Sequence, residues 1–367
     1  MEHQESFSNL LSKIEKESLK NEEQKHISSE IIAEFNNLGL FNVLLPSSLG
    51  FPEIKLKDYL KIVEQISSMD ASTGWCYMIG AALNGAAGSF LSDEVIDNIF
   101  INNNKSKKII IAGQTAPRAN VKIENNNIII SGNFKFASGG TYANWITCGF
   151  LHPENQEHYL ALIPADKVKL NGGWNPFGLA GTGSVDYILD EYVVSRKFIF
   201  PHDTLTPLRG KSLYSCGLVS VMIVGHVGVA IGLAKRALKE IQQLVQVNKA
   251  TGALISRQDF HIEFARETAR LEAINAYLIS TLNNVDSAIS EKENLMKHID
   301  AIRLVSVFAT EESSKIIRFA YDRAGTRAIH SENILGRIFR DFHVASQHLL
   351  IDITQYQKLG IKMLDLK

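Results

Sequence analysis

The chain has 367 residues, of which 45% are hydrophobic, and its 38 Lys+Arg and 39 Asp+Glu nearly cancel. A chain of this length usually folds as two or three units, because single cores stop growing at roughly 250 to 300 residues. The formal net charge of −1 argues against a nucleic-acid-binding protein, which normally carries a pronounced basic face, and the hydrophobic content argues against intrinsic disorder.

The cysteines and the N-terminus indicate a reducing, cytoplasmic setting. Cys76, Cys148 and Cys216 are far apart and lack CxxC spacing, so the sequence suggests neither a disulfide framework nor a thiolate metal site. Residues 1–20 include acidic side chains and no apolar segment, so we expect no secretory signal peptide.

Two stretches without a charged residue, 71–91 and 212–234, reach the length of about 20 residues that spans a membrane. The first is diluted by Gly, Ser, Thr and Asn, and the second carries His226 and several glycines. We therefore expect both to be helices buried inside the protein, with no membrane association.

The spacing of apolar residues divides the chain into three parts. From Glu2 to about Asn103 the spacing is helical. Between Lys107 and about Phe200, short β-branched and aromatic runs replace it, and residues 125–127 predict a hairpin turn. The helical pattern then returns in four long segments, approximately 211–248, 256–284, 291–323 and 333–363.

Four amphipathic segments with short joins are typical of an antiparallel four-helix bundle. The sequence thus predicts an α+β protein with three domains. These are an N-terminal α-helical domain over residues 1–106, a central antiparallel β-barrel or sandwich over 107–206, and a C-terminal four-helix bundle over 207–367.

Most common catalytic signatures are absent from the sequence. There is no GxSxG elbow, no Walker-type phosphate loop, no HExxH and no strand followed by GxGxxG. The GTGS string at 181–184 precedes a strand-like run, so a simple turn is the favoured interpretation. His343 and His348 are five residues apart without a carboxylate at a completing spacing, so we expect no dedicated metal.

The densest group of polar residues lies at 337–348, in the last predicted bundle helix. Arg340 and Asp341 are expected to form an ion pair, although a guanidinium group also binds phosphate oxygens. His348 is eight residues past Arg340, roughly two turns along a similar helical face. Its imidazole titrates in the range useful to a base or proton donor, although a lone histidine is more often structural.

Several strings, spread over nearly the whole chain, resemble the acyl-CoA dehydrogenase superfamily. The closest similarity is to its oxygenating branch, the flavin-dependent monooxygenases of two-component systems, with their aromatic and indole hydroxylases. The strings are LGLFNVLLPSSLGF at 38–51, MDASTGWCYMIG at 69–80, GNFKFASGGTYANW at 132–145, GWNPFGLAGTGSVDYILDEYVV at 173–194 and RIFRDFHVASQH at 337–348.

The resemblance implies a flavin ring between the β domain and the bundle, in a homotetramer whose neighbouring subunits help to hold the cofactor. Ser138 and Gly139, in FASGG, match the position that hydrogen-bonds the ring. Trp174 matches an aromatic residue near the pocket, and Thr115, in GQTAP, falls where the first strand approaches the ring.

The resemblance also assigns basic residues to the cofactor. Arg257, in ISRQDF, matches a position used for the flavin phosphate, and Arg337 and Arg340 match a tail motif of the family. For Trp75, Trp145 and the GTGS turn, we expect core packing instead.

One departure from the dehydrogenase branch bears on function. Acyl-CoA dehydrogenases of the mitochondrial type follow the Arg-Asp pair with a YEGT string, whose glutamate abstracts the substrate α-proton. The same distance from Arg340 and Asp341 leads to His348, and no carboxylate stands there. In the monooxygenase branch the matching position is a histidine.

The resemblance therefore implies the oxygenase component of a two-component monooxygenase. Reduced FMN or FAD would diffuse from a separate flavin reductase, and O2 would form a C4a-hydroperoxide that hydroxylates a small phenol-like or indole-like aromatic molecule. A dry pocket and the Ser138 hydroxyl would preserve that adduct. His348 would either deprotonate the substrate or donate a hydrogen bond to the peroxide, and both roles stay open.

Two other readings remain. One is a flavin oxidase or dehydrogenase acting on an acyl thioester or an amine, with another residue as base. The second is a non-catalytic assembly protein that retains the scaffold. Near-zero net charge fits a pocket for an uncharged aromatic molecule better than one for the phosphates of coenzyme A.

Overall fold

The structure is a computed structural model that describes residues 2–101, 108–125, 127–210, 213–247 and 254–366. The helices are α1 (Glu2–Gln24), α2 (Ser29–Asn37), α3 (Leu56–Met69), α4 (Ala71–Phe90), α5 (Asp93–Ile96), α6 (Gly217–Val247), α7 (Gln258–Glu291), α8 (Met296–Ala324), α9 (Ile334–Ala345) and α10 (Thr354–Met363). The strands are β1 (Ile111–Pro117), β2 (Asn120–Glu124), β3 (Asn127–Ala137), β4 (Trp145–Leu151), β5 (His158–Pro164), β6 (Lys169–Gly172), β7 (Val185–Val194) and β8 (Ile199–Pro201).

Helix α4 is the centre of the N-terminal part. Asp70 caps it, because its side chain accepts the backbone N–H of Thr73 at 3.0 Å, and every residue from Ala71 to Phe90 is buried. The helix packs against α3, α6 and β1. The expectation that the uncharged stretch 71–91 forms a helix inside the protein is confirmed.

The strands form two four-stranded sheets, with orders β1-β4-β5-β8 and β2-β3-β7-β6. Alternating side chains of the first sheet face different cores: Ala161 and Ile163 join the core between the sheets, whereas Leu160 and Leu162 join the large helical core. The predicted hairpin is confirmed, because β2 and β3 pair antiparallel with Glu124 opposite Asn127. Its Asn126 lies outside the described residues.

The prediction of a wholly antiparallel β unit is wrong in one place. Strands β1 and β4 pair in parallel, from Ile111 opposite Trp145 to Gln114 opposite Cys148. Residues 118–144 separate the two strands and contain the β2–β3 hairpin of the other sheet. The chain therefore re-enters the first sheet from the same end, which parallel pairing requires.

Helix α6 is the innermost helix of the C-terminal part. The segment Leu213–Val247 is long and apolar enough to cross a membrane, but 94% of its most apolar window is buried inside the protein. It packs against α3, α4 and α8. Gly232 permits close approach to α3, since a Cβ there would lie 2.6 Å from the carbonyl oxygen of Glu64.

The fourth predicted bundle helix, 333–363, is broken in the structure. Helix α9 ends at Ala345, a 3-10 turn follows at Leu349–Ile351, and α10 begins at Thr354. His348 has extended backbone angles, φ −74° and ψ 129°, so it is not two helical turns beyond Arg340, and that prediction is wrong. Packing of its imidazole against other rings and its role as a cap to the 3-10 turn outweigh the helical pattern.

The predicted domain limits stay predictions. Strands run from Ile111 to Pro201, with helices on either side. The boundary between residues 106 and 107 lies outside the described residues.

Candidate functional site

Trp75 and Ser138 join the buried helix α4 to the end of strand β3. The indole Nε1–H of Trp75 donates to Ser138 Oγ at 3.1 Å. Ser138 directly follows β3 and is buried, with 7% of its surface exposed. The predicted catalytic serine therefore lies at the boundary between the helical core and the β unit.

Ser138 also belongs to a row of hydroxyl groups supplied by the GTGS segment. Its Oγ lies 2.7 Å from Ser184 Oγ, which lies 2.6 Å from Thr182 Oγ1. Thr182 in turn donates to the carbonyl oxygen of Leu179 at 2.8 Å. We call Ser138, Ser184, Thr182 and the Leu179 carbonyl the hydroxyl relay. The GTGS turn is buried as expected, but it also contacts the predicted site.

Three rings from separate parts of the chain converge beside this relay. His226, from the middle of α6, stacks at a tilt on His348, with ring centroids 4.0 Å apart. Trp75 lies 4.7 Å from His226 and 6.0 Å from His348 by the same measure. The structure thus brings the two predicted catalytic residues, Ser138 and His348, into contact with the same indole ring.

Burial keeps both imidazoles of this cluster neutral near pH 7. It lowers the pKa of His348 to about 4, and no neighbouring carboxylate in the described part of the chain raises it again. Burial and the neighbouring His348 lower the pKa of His226 well below its usual range. Neither ring nitrogen of His226 has a hydrogen-bond partner among the described residues.

The backbone after His348 selects one tautomer of its ring. The amide N–H of Leu350 points at His348 Nδ1, 3.3 Å away, so Nδ1 is the acceptor. In a neutral imidazole the proton is then on Nε2. His348 is half-buried, and its Nε2–H remains available as a donor.

Aromatic side chains with exposed surface lie in the segment that precedes Ser138 and in the loop that carries Ser184. Phe136, two residues earlier, is 59% exposed and has a positive φ of 64°, which is costly for a bulky residue. Its ring meets Trp174 edge to face at 6.2 Å, and Phe177 in the same loop is 63% exposed. Strained backbone and uncovered aromatic surface next to a buried hydroxyl are features of binding sites rather than of core packing.

The loop that carries Trp174 and the relay is fixed to α9. The amide of Leu179 donates to the buried carboxylate of Asp341 at 2.7 Å. Gly178 allows this contact, because a Cβ there would lie 2.3 Å from the carbonyl oxygen of Arg340. Burial raises the pKa of Asp341 to about 7. The predicted Arg340–Asp341 pair is thus replaced by separate contacts.

Both arginines of the tail motif pair with helix α1. Arg337 is buried and its Nε lies 2.5 Å from a Glu22 carboxylate oxygen, while its Nη1 donates to Ser18 Oγ. Arg340 donates to the other Glu22 oxygen at 2.8 Å and to the carbonyl oxygen of Ser331. Their assignment to the cofactor stays a prediction, and their contacts within this chain are structural.

The remaining predicted cofactor residues are spread more widely. The Gly139 amide donates to the Thr182 carbonyl oxygen, and Trp174 Nε1 donates to the Ala180 carbonyl oxygen. Arg257 is on the surface at the start of α7, in a two-bond pair with Asp259. Both of these hydrogen bonds are to Asp259, so they do not connect Arg257 to the cluster of Trp75 and Ser138.

Thr115, on β1, contacts a group that the sequence analysis did not identify. Its carbonyl oxygen accepts His158 Nε2–H at 2.7 Å, and His158 stacks on His202 with centroids 4.0 Å apart. The ligand atoms of His158, His202 and the exposed Asp203 lie within 4.8 Å of one another. A hydrogen bond of 2.6 Å between His202 Nδ1 and the exposed Asp203 carboxylate is enough to hold these side chains together without a metal ion.

Sequence reasoning missed Trp75, Thr182, Ser184, His226 and Phe136 as site residues. An uncharged helix interrupted by polar residues was the available signal for Trp75 and His226. The FASGG and GTGS strings are forty-odd residues apart in the sequence. Nothing in them indicated that the hydroxyl of Ser138 and that of Ser184 would be in contact. Trp145 does pack as expected, stacked on Phe198 at 5.5 Å.

Comparison with known proteins agrees with this geometry. Residues 224–353 match the family described as acyl-CoA dehydrogenase, C-terminal domain. Indole-3-acetate monooxygenase from Acinetobacter baumannii is 26% identical over 352 residues, covering 94% of this chain and 89% of that protein. Over residues 224–353 the chain carries the C-terminal domain of the acyl-CoA dehydrogenase family. The predicted resemblance to the flavin-dependent monooxygenases of two-component systems is confirmed.

Solved structures of other proteins share the fold over the full chain. The 3-HSA hydroxylase from Rhodococcus sp. RHA1 has a TM-score of 0.91 at 19% identity, covering 100% of this chain and 97% of that chain. TdsC from Paenibacillus sp. A11-2, solved with FMN and indole, has a TM-score of 0.80 at 17% identity, covering 100% and 98%. The predicted fold class is therefore confirmed apart from the parallel β1–β4 pair.

Proposed function

We propose that this protein is the oxygenase component of a two-component flavin-dependent monooxygenase that hydroxylates a small phenol-like or indole-like aromatic molecule. The observation that carries the proposal is the convergence of Ser138 and His348 on Trp75, in a cluster to which the described part of the chain brings no carboxylate beside His348. A dehydrogenase of acyl thioesters needs a carboxylate base at the position that His348 fills.

The residues around Ser138 fit a flavin. An isoalloxazine ring has broad apolar faces and a polar edge with nitrogen and oxygen atoms. Phe136 and Phe177 offer exposed aromatic surface for such a face, with the partly buried Trp174 in contact with Phe136, and the buried Ser138 hydroxyl offers a hydrogen-bonding partner for the edge. When bound in its reduced form, the flavin supplies the electrons that activate O2.

The side chains of this chain would supply orientation and exclude water. Trp75 and His226 line the site with buried rings, which limits the entry of water to the reacting atoms. His348 holds its proton at Nε2, so we assign it as a hydrogen-bond donor to the oxygen being transferred or to a polar atom of the substrate. A base role is disfavoured, because a pKa of about 4 makes the neutral ring a weak base.

The substrate class rests on the ring cluster and on relatives. Of the three clustered rings, His348 keeps partly exposed surface that an aromatic substrate can contact, and the buried rings of Trp75 and His226 pack behind it. Indole-3-acetate monooxygenase and indole-bound TdsC are among the proteins to which this chain is similar. An uncharged or weakly charged aromatic molecule is the proposed substrate.

We also propose a cytoplasmic homotetramer with the three domains 1–106, 107–206 and 207–367, supplied by a separate flavin reductase. Exposed apolar residues near the C-terminus support self-association. They include Leu349, Ile353, Met363, Leu364 and Leu366, each at least 59% exposed. Arg257, exposed on the bundle surface, is the proposed phosphate contact for a flavin bound largely by a neighbouring copy.

The test is single turnover with each reduced flavin. The protein is mixed anaerobically with reduced FMN or reduced FAD, then with oxygen and an indole or phenol, and the products are analysed by mass spectrometry. Isotopically labelled O2 should place one labelled oxygen in the product. An oxidase or dehydrogenase would instead bleach bound oxidised flavin on anaerobic addition of its substrate. A protein that binds neither flavin state would be a non-catalytic assembly protein.

A further inference from the structure

The hydroxyl relay has a direction, which follows from counting hydrogens. A carbonyl oxygen cannot donate, so the single hydrogen of Thr182 Oγ1 points at the Leu179 carbonyl, 2.8 Å away. Thr182 can then only accept from Ser184, whose Oγ lies 2.6 Å away. Ser184, having used its hydrogen, accepts from Ser138 at 2.7 Å. Every hydrogen of the relay thus points away from Ser138 toward Leu179.

The reverse direction makes one hydrogen bond fewer. If Thr182 donated to Ser184, its oxygen would face the Leu179 carbonyl oxygen at 2.8 Å with no hydrogen between them. Thr182 and Ser184 are 0% and 3% exposed, so water does not readily replace the lost bond. A net hydrogen bond favours the direction toward Leu179 about threefold to tenfold.

Trp75 occupies one of the two lone pairs of Ser138 Oγ. An indole nitrogen can only donate, so the Trp75 Nε1–H occupies one lone pair of Ser138 Oγ at 3.1 Å. The hydrogen of Ser138 is directed at Ser184. One lone pair remains, and Ser138 can therefore accept a further hydrogen bond but cannot donate one without breaking the relay.

This matters because the two states of a flavin differ at one ring nitrogen. N5 of the isoalloxazine carries a hydrogen in the reduced form and only a lone pair in the oxidised form. We infer that the hydroxyl relay holds Ser138 as an acceptor and so makes the site select reduced over oxidised flavin, with Trp75, Thr182 and Ser184 as positioning residues. The inference rests on the proposed function, and specifically on contact between Ser138 and the flavin N5.

The decisive measurement is the dissociation constant of each flavin state, determined anaerobically for the reduced form and in air for the oxidised form. The parent should bind the reduced flavin more tightly. Ser184→Ala leaves the Ser138 hydrogen free to turn toward oxidised N5. We expect the ratio of oxidised to reduced dissociation constants to fall about tenfold, mainly through tighter oxidised binding. The potential of the bound flavin should fall by about 30 mV, because a tenfold change corresponds to that value for two electrons.

A matched pair at position 182 separates the relay from general packing. Thr182→Val has nearly the same volume but no hydroxyl, so it should lower the ratio as Ser184→Ala does. Thr182→Ser keeps the hydroxyl and loses a methyl group, so it should retain the parent ratio. Thermal melts of all variants report folding independently, and the pair at 182 still decides the matter if Ser184→Ala does not fold.

A double-mutant cycle identifies Ser138 as the residue through which the relay acts. In a Ser138→Ala background, Ser184→Ala should change the ratio by less than about twofold, because no hydroxyl remains to be oriented. An equal effect in both backgrounds would overturn the inference. So would a parent ratio that survives both Ser184→Ala and Thr182→Val in folded proteins. Failure of the parent to bind any reduced flavin would instead overturn the proposed function.

Discussion

His226 and His348 lie ring against ring, with centroids 4.0 Å apart, and so connect the middle of α6 to the turn that follows α9. Both imidazoles are held in the neutral form by burial. A proton added to either ring would be placed in an apolar site beside a neighbour that cannot compensate it. The pair therefore makes stability and activity sensitive to acid.

The first prediction concerns acid stability. The folded pKa of each ring is below its unfolded value of about 6.5, so the stabilisation is complete above pH 6.5 and is lost as the pH falls toward about 4. Asp341 acts in the opposite sense, so the useful quantity is the difference between parent and variant. As the pH falls from 7.5 to 5, the free energy of unfolding of His226→Phe should rise by about 1–2 kcal/mol relative to that of the parent, measured by denaturant unfolding.

His330→Gln, at an exposed histidine, is the control and should track the parent. Parallel curves for His226→Phe and the parent would refute the assignment.

The second prediction concerns His348 as a donor. His348→Ala should keep the fold and most flavin affinity, but oxygen uptake should end as hydrogen peroxide, with product formation lowered about a hundredfold. His348→Gln can place an N–H near the position of Nε2 and should recover part of the product yield, whereas the shorter His348→Asn should not. Product and peroxide are measured in the same single-turnover reaction. If His348→Ala hydroxylates as well as the parent, the role given to His348 is wrong.

The third prediction concerns Asp341, which holds the loop of the relay against α9. Asp341→Asn keeps an oxygen for the Leu179 amide, whereas Asp341→Leu leaves that buried N–H unpaired and should cost about 1–3 kcal/mol of unfolding free energy.

Because the pKa of Asp341 in the folded protein is raised to about 7, the parent loses stability as the pH rises through 7. Asp341→Asn has no such loss, so its stability should improve relative to the parent between pH 6 and 9. An unchanged difference across that range would contradict the raised pKa.

The fourth prediction concerns Arg257. Arg257→Ala removes the guanidinium group and should weaken the binding of reduced FMN or FAD about tenfold or more, because a charge-assisted contact to phosphate would be lost. Arg318→Ala is the matched control, because Arg318 is also exposed on the bundle and paired with an aspartate four residues later. Both variants should melt with the parent. Equal flavin affinity for Arg257→Ala and the control would remove Arg257 from the cofactor site.

The sequence predicted the order of the parts because each part has its own apolar period. The helical stripe, the short β-branched runs and the returning helical pattern all match observed elements. The parallel pairing of β1 with β4 was not predictable, because pairing direction depends on the route of residues 118–144 through the other sheet.

The site was predicted in part. Ser138 and His348 were identified by resemblance, but the break in the last helix was missed, since no Gly or Pro stands between Ala345 and Thr354. At the break, the His348 ring packs against Trp75 and His226, and its Nδ1 accepts the Leu350 amide. Thr182 and Ser184 were assigned to packing, because a hydroxyl in a turn carries no sequence signal of what it will touch.

The hydroxyl relay contains three alcohols and a carbonyl, and none of these groups carries charge at physiological pH. A preference set by where O–H bonds point should therefore be independent of ionic strength, whereas one set by arginine or carboxylate groups would weaken as salt is added. The protein would thus distinguish reduced from oxidised flavin by the direction of these O–H bonds, at any ionic strength in the cell.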